Sequence, residues 1–419
     1  MNQVKSIKGT HDILPEQSIH WQELENQIHK TANLYGYGEI RTPIIENAAL
    51  FNRGVGQETD IVSKEMYSWN DRDKSIISLR PEMTAPVVRS YIQHNLGSNS
   101  LLQRLYYIGP SFRRERPQKG RQRQFHQFGV EAIGSNNPEQ DAEVISLGWS
   151  ILKSFGIDTI ELKISSIGSH SCRTNFRAEL ISYLSPFIRE LSEISQRRLE
   201  KNPLRILDTK NEQEKLILKS APKIEEFYTE EDKNYFLKVQ QCIRDLKIPY
   251  KIDPFLVRGL DYYTQTTFEI SSKDLGAQDA LLGGGRYDGL IKVLGGRDTP
   301  AVGFAAGMER VLIAAEKRKT INNKILCVYA ICTHDNSLGR LQKSSEELRS
   351  LGIKVICETL RRSMRAQMRE ANKCGADFAI IIGEEEFVNE TIQVKNLSKG
   401  TQESIKYQNL ITYFKSLTF

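Results

Sequence analysis

Residues 101–134 read LLQRLYYIGPSFRRERPQKGRQRQFHQFGVEAIG. Taken with a period of two, the stretch is a strand, a basic loop and a returning strand. The outgoing arm places Tyr106, Ile108, Pro110 and Phe112 at even positions and Gly109, Ser111, Arg113 and Glu115 at odd ones. On the return, Phe128, Val130 and Ala132 are apolar, and Gln127, Gly129 and Glu131 alternate with them. A register that sets Arg113 opposite Gln127 and Gly109 opposite Glu131 joins odd to odd, so both arms send their polar set to one face. That face carries Arg113, Glu115, Gln127 and Glu131 over a floor of glycines and Ser111. An amphipathic hairpin more often just wets its charged face. Here, however, glycine alternates with charge, and Arg113, Arg114, Arg116, Lys119, Arg121 and Arg123 crowd the turn against Glu115. A bare floor with charged walls reads as a ligand site.

The 419 residues, 39% hydrophobic and 26% charged, imply a globular chain of two or three domains. No run of about 18 apolar residues occurs, which excludes a helical membrane protein. The opening MNQVKSIKGTHDI lacks an apolar signal segment, so a cytoplasmic location is expected. Six scattered cysteines suit a reduced compartment better than a disulfide framework. Cys327, Cys332 and His334 lie close in sequence, but Cys327 falls in an apolar strand-like run, which favours packing over metal binding. A net charge of +6 is mild; its distribution says more. A second basic cluster, Arg361, Arg362, Arg365, Arg369 and Lys373, joins the hairpin turn, and 361, 365 and 369 are predicted to stack on one helical face. Two compact clusters favour phosphate or nucleic acid.

Residues 17–36 predict an amphipathic helix with Ile19, Leu24, Ile28, Ala32 and Tyr35 on one side. EIRTPIIE (39–46) reads as an edge strand bearing Pro43. SIISLRPEMTAPVVRSYIQ (75–93) is a strand breaking at Pro81 into a helix that Thr84 is placed to cap. A helix over 139–155 and a strand over 161–169 follow. Lys/Glu-rich helices and proline turns then mark 170–250 as a helical insertion, whose basic run Arg197–Arg205 reads as a solvated face. FLVRGLDYYTQTTFEI (255–270) opens from a loop into a strand, on which the adjacent Tyr262 and Tyr263 are expected to face opposite ways. ALLGGGRYDGLI (280–291) runs a strand into three glycines with no Walker lysine, and AVGFAAGMERVLIAA (301–315) passes from strand to helix with Arg310 in the first turns. From 324 to 419, after a linker at Lys317–Asn323, strands and helices alternate as in a small, mainly parallel α/β domain.

FRRERPQKGRQRQFHQFGVE resembles motif 2 of the class II aminoacyl-tRNA synthetases in its histidyl-tRNA synthetase form. RGLDYYT, GGGRYDG and GFAAGMER resemble that family's histidine-specific signature and motif 3, in the family's order. The resemblance implies an α+β fold: a class II antiparallel sheet core flanked by helices (1–169 and 251–320), a helical insertion domain (170–250) and a C-terminal α/β anticodon-binding domain (324–419). It implies ATP-dependent ligation of L-histidine to tRNA(His) through a histidyl-adenylate, by a homodimer joined along 39–46, with ATP and Mg2+. In that resemblance Arg113 grips the α-phosphate and attacking carboxylate, and Arg258 approaches from the other side, doing work that other class II enzymes give to a metal. Arg310 holds the γ-phosphate, and Glu115 binds ATP and Mg2+. Glu82, Thr84 and Gln127 meet the α-ammonium, Glu131 and Tyr263 the imidazole nitrogens, with Arg258 and Tyr262 beside them. Arg116 and Gln118 meet the tRNA acceptor end. Met83 stands where the family often has glycine, and His126, on the opposite face, is expected to pack. A synthetase-like regulatory subunit of histidine biosynthesis is a competing reading, but such relatives typically lack the RGLDYYT arginine and the anticodon-binding domain. A synthetase for threonine or proline would not carry the Gln127, Glu131 and Tyr263 set.

Overall fold

The computed structural model describes residues 3–56, 59–209, 211–256, 258–275, 279–316 and 325–418. Its chain divides into two units, Met1–Arg318 and Lys319–Phe419; the linker expected at Lys317–Asn323 lies outside the described residues. Strands of the first unit are β1 (Gly38–Glu39), β2 (Ile45–Asn47), β3 (Ser68–Asn70), β4 (Ile76–Leu79), β5 (Gln103–Phe112), β6 (Gln124–Ile133), β7 (Ile160–Ser166), β8 (Tyr250–Ile252), β9 (Thr264–Ser272), β10 (Ala280–Arg286) and β11 (Ala301–Gly307). Eight of them form one sheet in the order β1-β5-β6-β11-β10-β9-β7-β8. Its centre is antiparallel and only the two edge pairs, β1 with β5 and β7 with β8, are parallel.

One face of this sheet is apolar. Tyr106, Phe128, Val130, Ala132, Ile164, Phe268, Leu282 and Phe304 pack beneath helices Pro15–Leu34, Pro138–Ser154 and Glu230–Asp245. Within Pro15–Leu34, Leu24, Ile28 and Ala32 are buried but Ile19 is exposed, against expectation. Five residues separate Ile19 from Leu24, which at 3.6 residues per turn rotates it about 140° off the buried stripe. The segment 172–224 has its own core of Cys172, Phe176, Leu180, Leu184, Leu218 and Ile224, whereas Phe236, Val239 and Ile243 join the core of the main sheet.

The hairpin forms with its predicted faces but a different register. Gln127 pairs with Gly109 and Glu131 with Leu105, a slip of four residues. The reversal is asymmetric: 113–117 lead out of the ladder, Gln118 and Arg121 exchange backbone hydrogen bonds around Gly120 (φ +72°), and only 122–123 lead back. A slip of an even number keeps odd opposite odd, so the faces survive it.

The stretch 39–46 is not one strand. Only its ends join sheets, and β2 pairs with β4, which pairs in turn with β3. Pro43 interrupts the ladder, and the buried Arg80 instead donates from Nη1 to the Thr42 carbonyl at 2.7 Å and from Nε to that of Pro110 at 2.9 Å. Ile45, Trp69 and Ile76 of this small sheet stay exposed.

In the second unit β12 (Cys327–Cys332), β13 (Lys354–Cys357), β14 (Phe378–Ile382), β15 (Thr391–Asn396) and β16 (Gln402–Lys406) make a sheet ordered β13-β12-β14-β15-β16. The first three are parallel and the last two antiparallel. Cys327 and Cys332 fall in separate apolar clusters on β12, Cys332 at the edge of one and Cys327 within the other. Arg361 precedes the helix Met364–Lys373, with φ +50°, and so does not stack with Arg365 and Arg369 as expected. Arg362 is occupied by Glu358 and Glu370. The exposed stripe is Arg365, Arg369 and Lys373, spaced by four.

Candidate active site

A cavity of about 460 Å³ is lined by Glu82, Thr84, Arg113, Glu115, Gln127, Arg258, Tyr262, Tyr263 and Arg310 among others. The hairpin glycines expected to form its bare floor lie outside it, Gly109 covered by Arg80 and Gly129 by Tyr107. The cavity's first wall is the corner after β4. The chain turns at Pro81 into the helix Thr84–Gln93, and the Glu82 carboxylate accepts from the backbone N–H groups of Thr84 at 2.8 Å and Ala85 at 3.0 Å. Glu82, not Thr84, therefore satisfies the helix start, a carboxylate being well suited to the positive end of the helix. Burial raises the Glu82 pKa, opposed by those two N–H groups. Met83 takes φ −116°, a conformation open to any residue, and buries its side chain against Val87 and Tyr107.

The hairpin supplies the second wall. Arg113 donates from Nε to the Pro81 carbonyl at 2.9 Å, lies over the Phe125 ring at 5.0 Å and stands 3.9 Å from Glu115. Glu115 also lies 3.5 Å from Arg121. Gln127 accepts from the Ser111 hydroxyl at 3.3 Å. Glu131 shares the face of Gln127 but does not line the cavity. It lies against Gly303, its carboxylate accepting from the hydroxyls of Tyr287 at 2.5 Å and Tyr107 at 3.3 Å. Burial lifts its pKa to about 8 even though the tyrosine hydroxyls favour the charged form. His126, on the other face, packs edge-on to Trp21 and hydrogen-bonds through Nδ1 to Glu309 at 3.0 Å. Arg116 and Gln118 lie in the turn, outside the cavity.

The third wall comes from 258–263 and the strands after it. Arg258 pairs with Glu269 of β9 and lies over Gly283 of β10, where any Cβ would collide with its guanidinium. Tyr262 and Tyr263 both line the cavity, their rings 4.7 Å apart, rather than facing opposite ways. They precede β9 in a turn, where strand alternation does not apply. Arg310, at the start of helix Met308–Ala314, donates to the carbonyls of Gly120 at 3.2 Å and Ala280 at 3.0 Å. Burial lowers its pKa, and the nearby Arg121 adds to that.

Several cavity residues are not foreseen by the sequence. Arg198 and Arg205, expected on a solvated face, also line the cavity. Nothing local signals this, because it depends on how the insertion folds back. Outside the cavity lining, Tyr287, which donates to Glu131 from just past the end of β10, is legible from the odd parity it shares with Gly283. Glu269 was legible in the same way, as the charged residue on the strand that follows the tyrosine pair. Among the described residues no group of three or more His, Cys, Asp or Glu side chains is placed to hold a metal ion. Arginines and carboxylates opposed across one cavity suit an anionic, phosphate-bearing ligand beside a zwitterion.

Comparison with known proteins bears on the same residues. The family described as histidyl-tRNA synthetase matches residues 9–311, and an anticodon binding domain matches 326–417. The histidine--tRNA ligase of Halothermothrix orenii is 45% identical over 416 residues, covering 99% of each chain. That of Rippkaea orientalis is 44% identical over 412 residues, 98% of this chain and 96% of the other. The crystal structure of apo S. aureus histidyl-tRNA synthetase superposes with a TM-score of 0.83 at 39% identity, covering 99% of this chain and 100% of that one. With motif, sheet and cavity in agreement, the chain belongs to the histidyl-tRNA synthetase family.

Proposed function

We propose that the chain joins L-histidine to tRNA(His) at the expense of ATP, in two steps on one cavity. In the first, a histidine carboxylate oxygen attacks the α-phosphorus of ATP, the bond to the bridging oxygen breaks, and pyrophosphate leaves. In the second, the terminal ribose hydroxyl of the tRNA attacks the acyl carbon and AMP departs. The observation that carries this reading is the convergence of Arg113, Arg258 and Arg310 from three walls on a space also bounded by Glu82, Thr84, Gln127 and Tyr263.

Phosphoryl displacement needs alignment and fixed positive charge more than a strong base. Arg113 and Arg258 flank the α-phosphate, and Arg310 takes the γ-phosphate. Glu82, Thr84 and Gln127 receive the α-ammonium. Tyr263 and Glu131 read the two imidazole nitrogens, the Glu131 carboxylate exchanging a tyrosine hydroxyl for the substrate. A site that hydrogen-bonds both ring nitrogens rejects apolar amino acids, which leave buried groups unpaired. Glu115 would hold Mg2+, an ion that commonly takes one or two carboxylates together with substrate phosphates. Its neighbour Glu65 fits that reading, since the charge of Glu115 adds to the burial that raises the Glu65 pKa. Bound there, the ion would neutralise phosphate charge.

Arg116 and Gln118, in the hairpin turn, meet the tRNA acceptor end, and the Arg365, Arg369 and Lys373 stripe meets its backbone. Exposed Ile45, Trp69 and Ile76 support a homodimer through the small sheet. No described helix is long and apolar enough to cross a membrane, and the assigned reaction belongs in the cytoplasm. The test is ATP–pyrophosphate exchange with a panel of amino acids: exchange should require histidine, and exchange driven equally by threonine or proline would refute the assignment.

A further inference from the structure

Residues 258–263 carry Arg258 and Tyr263 yet belong to no strand or helix, so sheet hydrogen bonds do not set their course. Apart from the Asp261 N–H donating to the Val55 carbonyl at 3.4 Å and the packing of Leu260 and Tyr262, side chains of the helical insertion hold them. Asn202 donates from Nδ2 to the Asp261 carboxylate at 2.8 Å, and Arg205 donates to the Gly259 carbonyl and lies 3.5 Å from the same carboxylate. Arg198 in turn donates to the Arg205 carbonyl at 3.1 Å. Farther along, Arg173 donates from Nη1 to the Tyr263 carbonyl at 2.9 Å. Beside this lattice is a second cavity of about 60 Å³, where Arg173, Asn202, Arg205, Arg258 and Asp261 meet a mostly apolar lining that includes Leu260. Leu260 and Tyr262 pack into neighbouring apolar clusters, but toward this cavity the polar brace is what holds the segment to the insertion. An arginine fork suits such bracing, because its planar group makes two contacts in fixed geometry.

We propose that Asn202 and Arg205 are positioning residues for Arg258, and that Arg173 positions Tyr263. The insertion thereby sets how the guanidinium approaches the α-phosphate and, separately, how the phenol approaches the imidazole. This rests on the reaction assigned above. It predicts a division of labour between a brace on Gly259 and Asp261, next to Arg258, and one on Tyr263. A misplacement of about 1 Å can slow a reaction about a hundredfold.

In the full-length protein, Arg205→Ala and Asn202→Ala should each lower kcat for histidine-dependent ATP–pyrophosphate exchange by about tenfold to a hundredfold. The KM for histidine should stay within about threefold, a split that a general loss of structure would not give. Arg173→Ala should do the reverse, raising the histidine KM more than it lowers kcat. In an Arg258→Ala background, Arg205→Ala should add nothing further, as for two residues acting through one group. The brace is overturned if Arg205→Ala and Asn202→Ala keep wild-type kcat, or if the loss is as large without Arg258. It is also overturned if the ATP KM rises equally in both backgrounds, which would make Arg205 a direct nucleotide ligand. Should Arg205→Ala fail to fold, Asn202→Ala carries the test with the smaller perturbation. If the wild-type protein shows no exchange with histidine, the reaction assignment fails first and the brace falls with it.

Discussion

Gly283→Ala tests the site through a single methyl group. Gly283 is buried in β10, where it pairs with Ala305 of β11 on one side and Glu269 of β9 on the other. It has no positive φ, so its backbone accepts alanine. The new Cβ would project into the guanidinium of Arg258. Even the farther terminal nitrogen, Nη1, is 2.7 Å from that position, whereas ordinary contact begins near 3.4 Å, and Cζ and Nη2 are nearer still. The group must therefore retreat by about 1 Å or more, and a shift of that size costs on the order of a hundredfold in rate. That corresponds to about 2.7 kcal/mol of transition-state stabilisation. Arg258 would lose its alignment with Glu269 as well as with the α-phosphate. Single-turnover formation of histidyl-adenylate, with histidine affinity measured separately by calorimetry, separates the two consequences. The expected result is a fall of about a hundredfold in the chemical step with histidine affinity changed by less than about threefold. Gly284→Ala points to the opposite face, against Phe268 and Phe304, and should cost stability instead. A wild-type adenylation rate in Gly283→Ala, or an equal loss in rate and histidine affinity, would refute the role given to Arg258.

Three further expectations address other parts of the molecule. Glu131 has a folded pKa of about 8 against an ordinary value of 4.5, so the folded state binds more protons between those limits. Its stabilising share is complete below about pH 4.5 and is lost as pH rises through about 8. Thermal unfolding without histidine should then show wild type losing ground to Glu131→Gln between those pH values, and a constant difference would refute the shift. Replacing Arg365, Arg369 and Lys373 together by alanine should weaken tRNA binding and reduce its salt slope by about 0.7–0.9 for each phosphate no longer neutralised; an equal fall in pyrophosphate exchange would place the stripe elsewhere. Asp141→Ala leaves the buried Arg286 with Asp288 as its remaining carboxylate. It should cost about 3–5 kcal/mol, visible in the denaturant midpoint, and an unmoved midpoint would show that Asp288 suffices.

Period-two alternation makes the ligand face legible from the residues alone, and it does so despite a misplaced register. The reason is parity: the true ladder differs by four residues, and only an odd slip would have turned Arg113 or Glu131 to the core. The same rule fails at Tyr262 and Tyr263, because they lie in a turn before the first strand residue, Thr264. In the C-terminal unit, Ser363 directly before Met364 is a readable helix start, and it excludes Arg361 from the stripe. The β–α order of that unit, and the strand-to-helix corners at Pro81 and Gly307, are plain from local pattern. Arg198, Arg205 and Asn202 are not, since the insertion reaches 259–261 across more than fifty residues of chain and no local periodicity encodes that.

The way the arginines are held bears directly on what they can do. Arg113 is tethered through the Pro81 carbonyl and Arg310 through those of Gly120 and Ala280. A carbonyl orients a guanidinium without offsetting its charge, although Glu115, 3.9 Å from Arg113, offsets part of the charge there. Crowding has a consequence: Arg121 and Arg113 add to the burial that lowers the Arg310 pKa, and an incoming polyanion relieves that repulsion. Arg258 is held differently, by the carboxylate of Glu269, which fixes its place while offsetting its charge. In the proposed reaction, its effect on the α-phosphorus would therefore depend on alignment more than on net charge. This is why the glycine beneath it and the braces on the segment that carries it matter as much as the guanidinium itself.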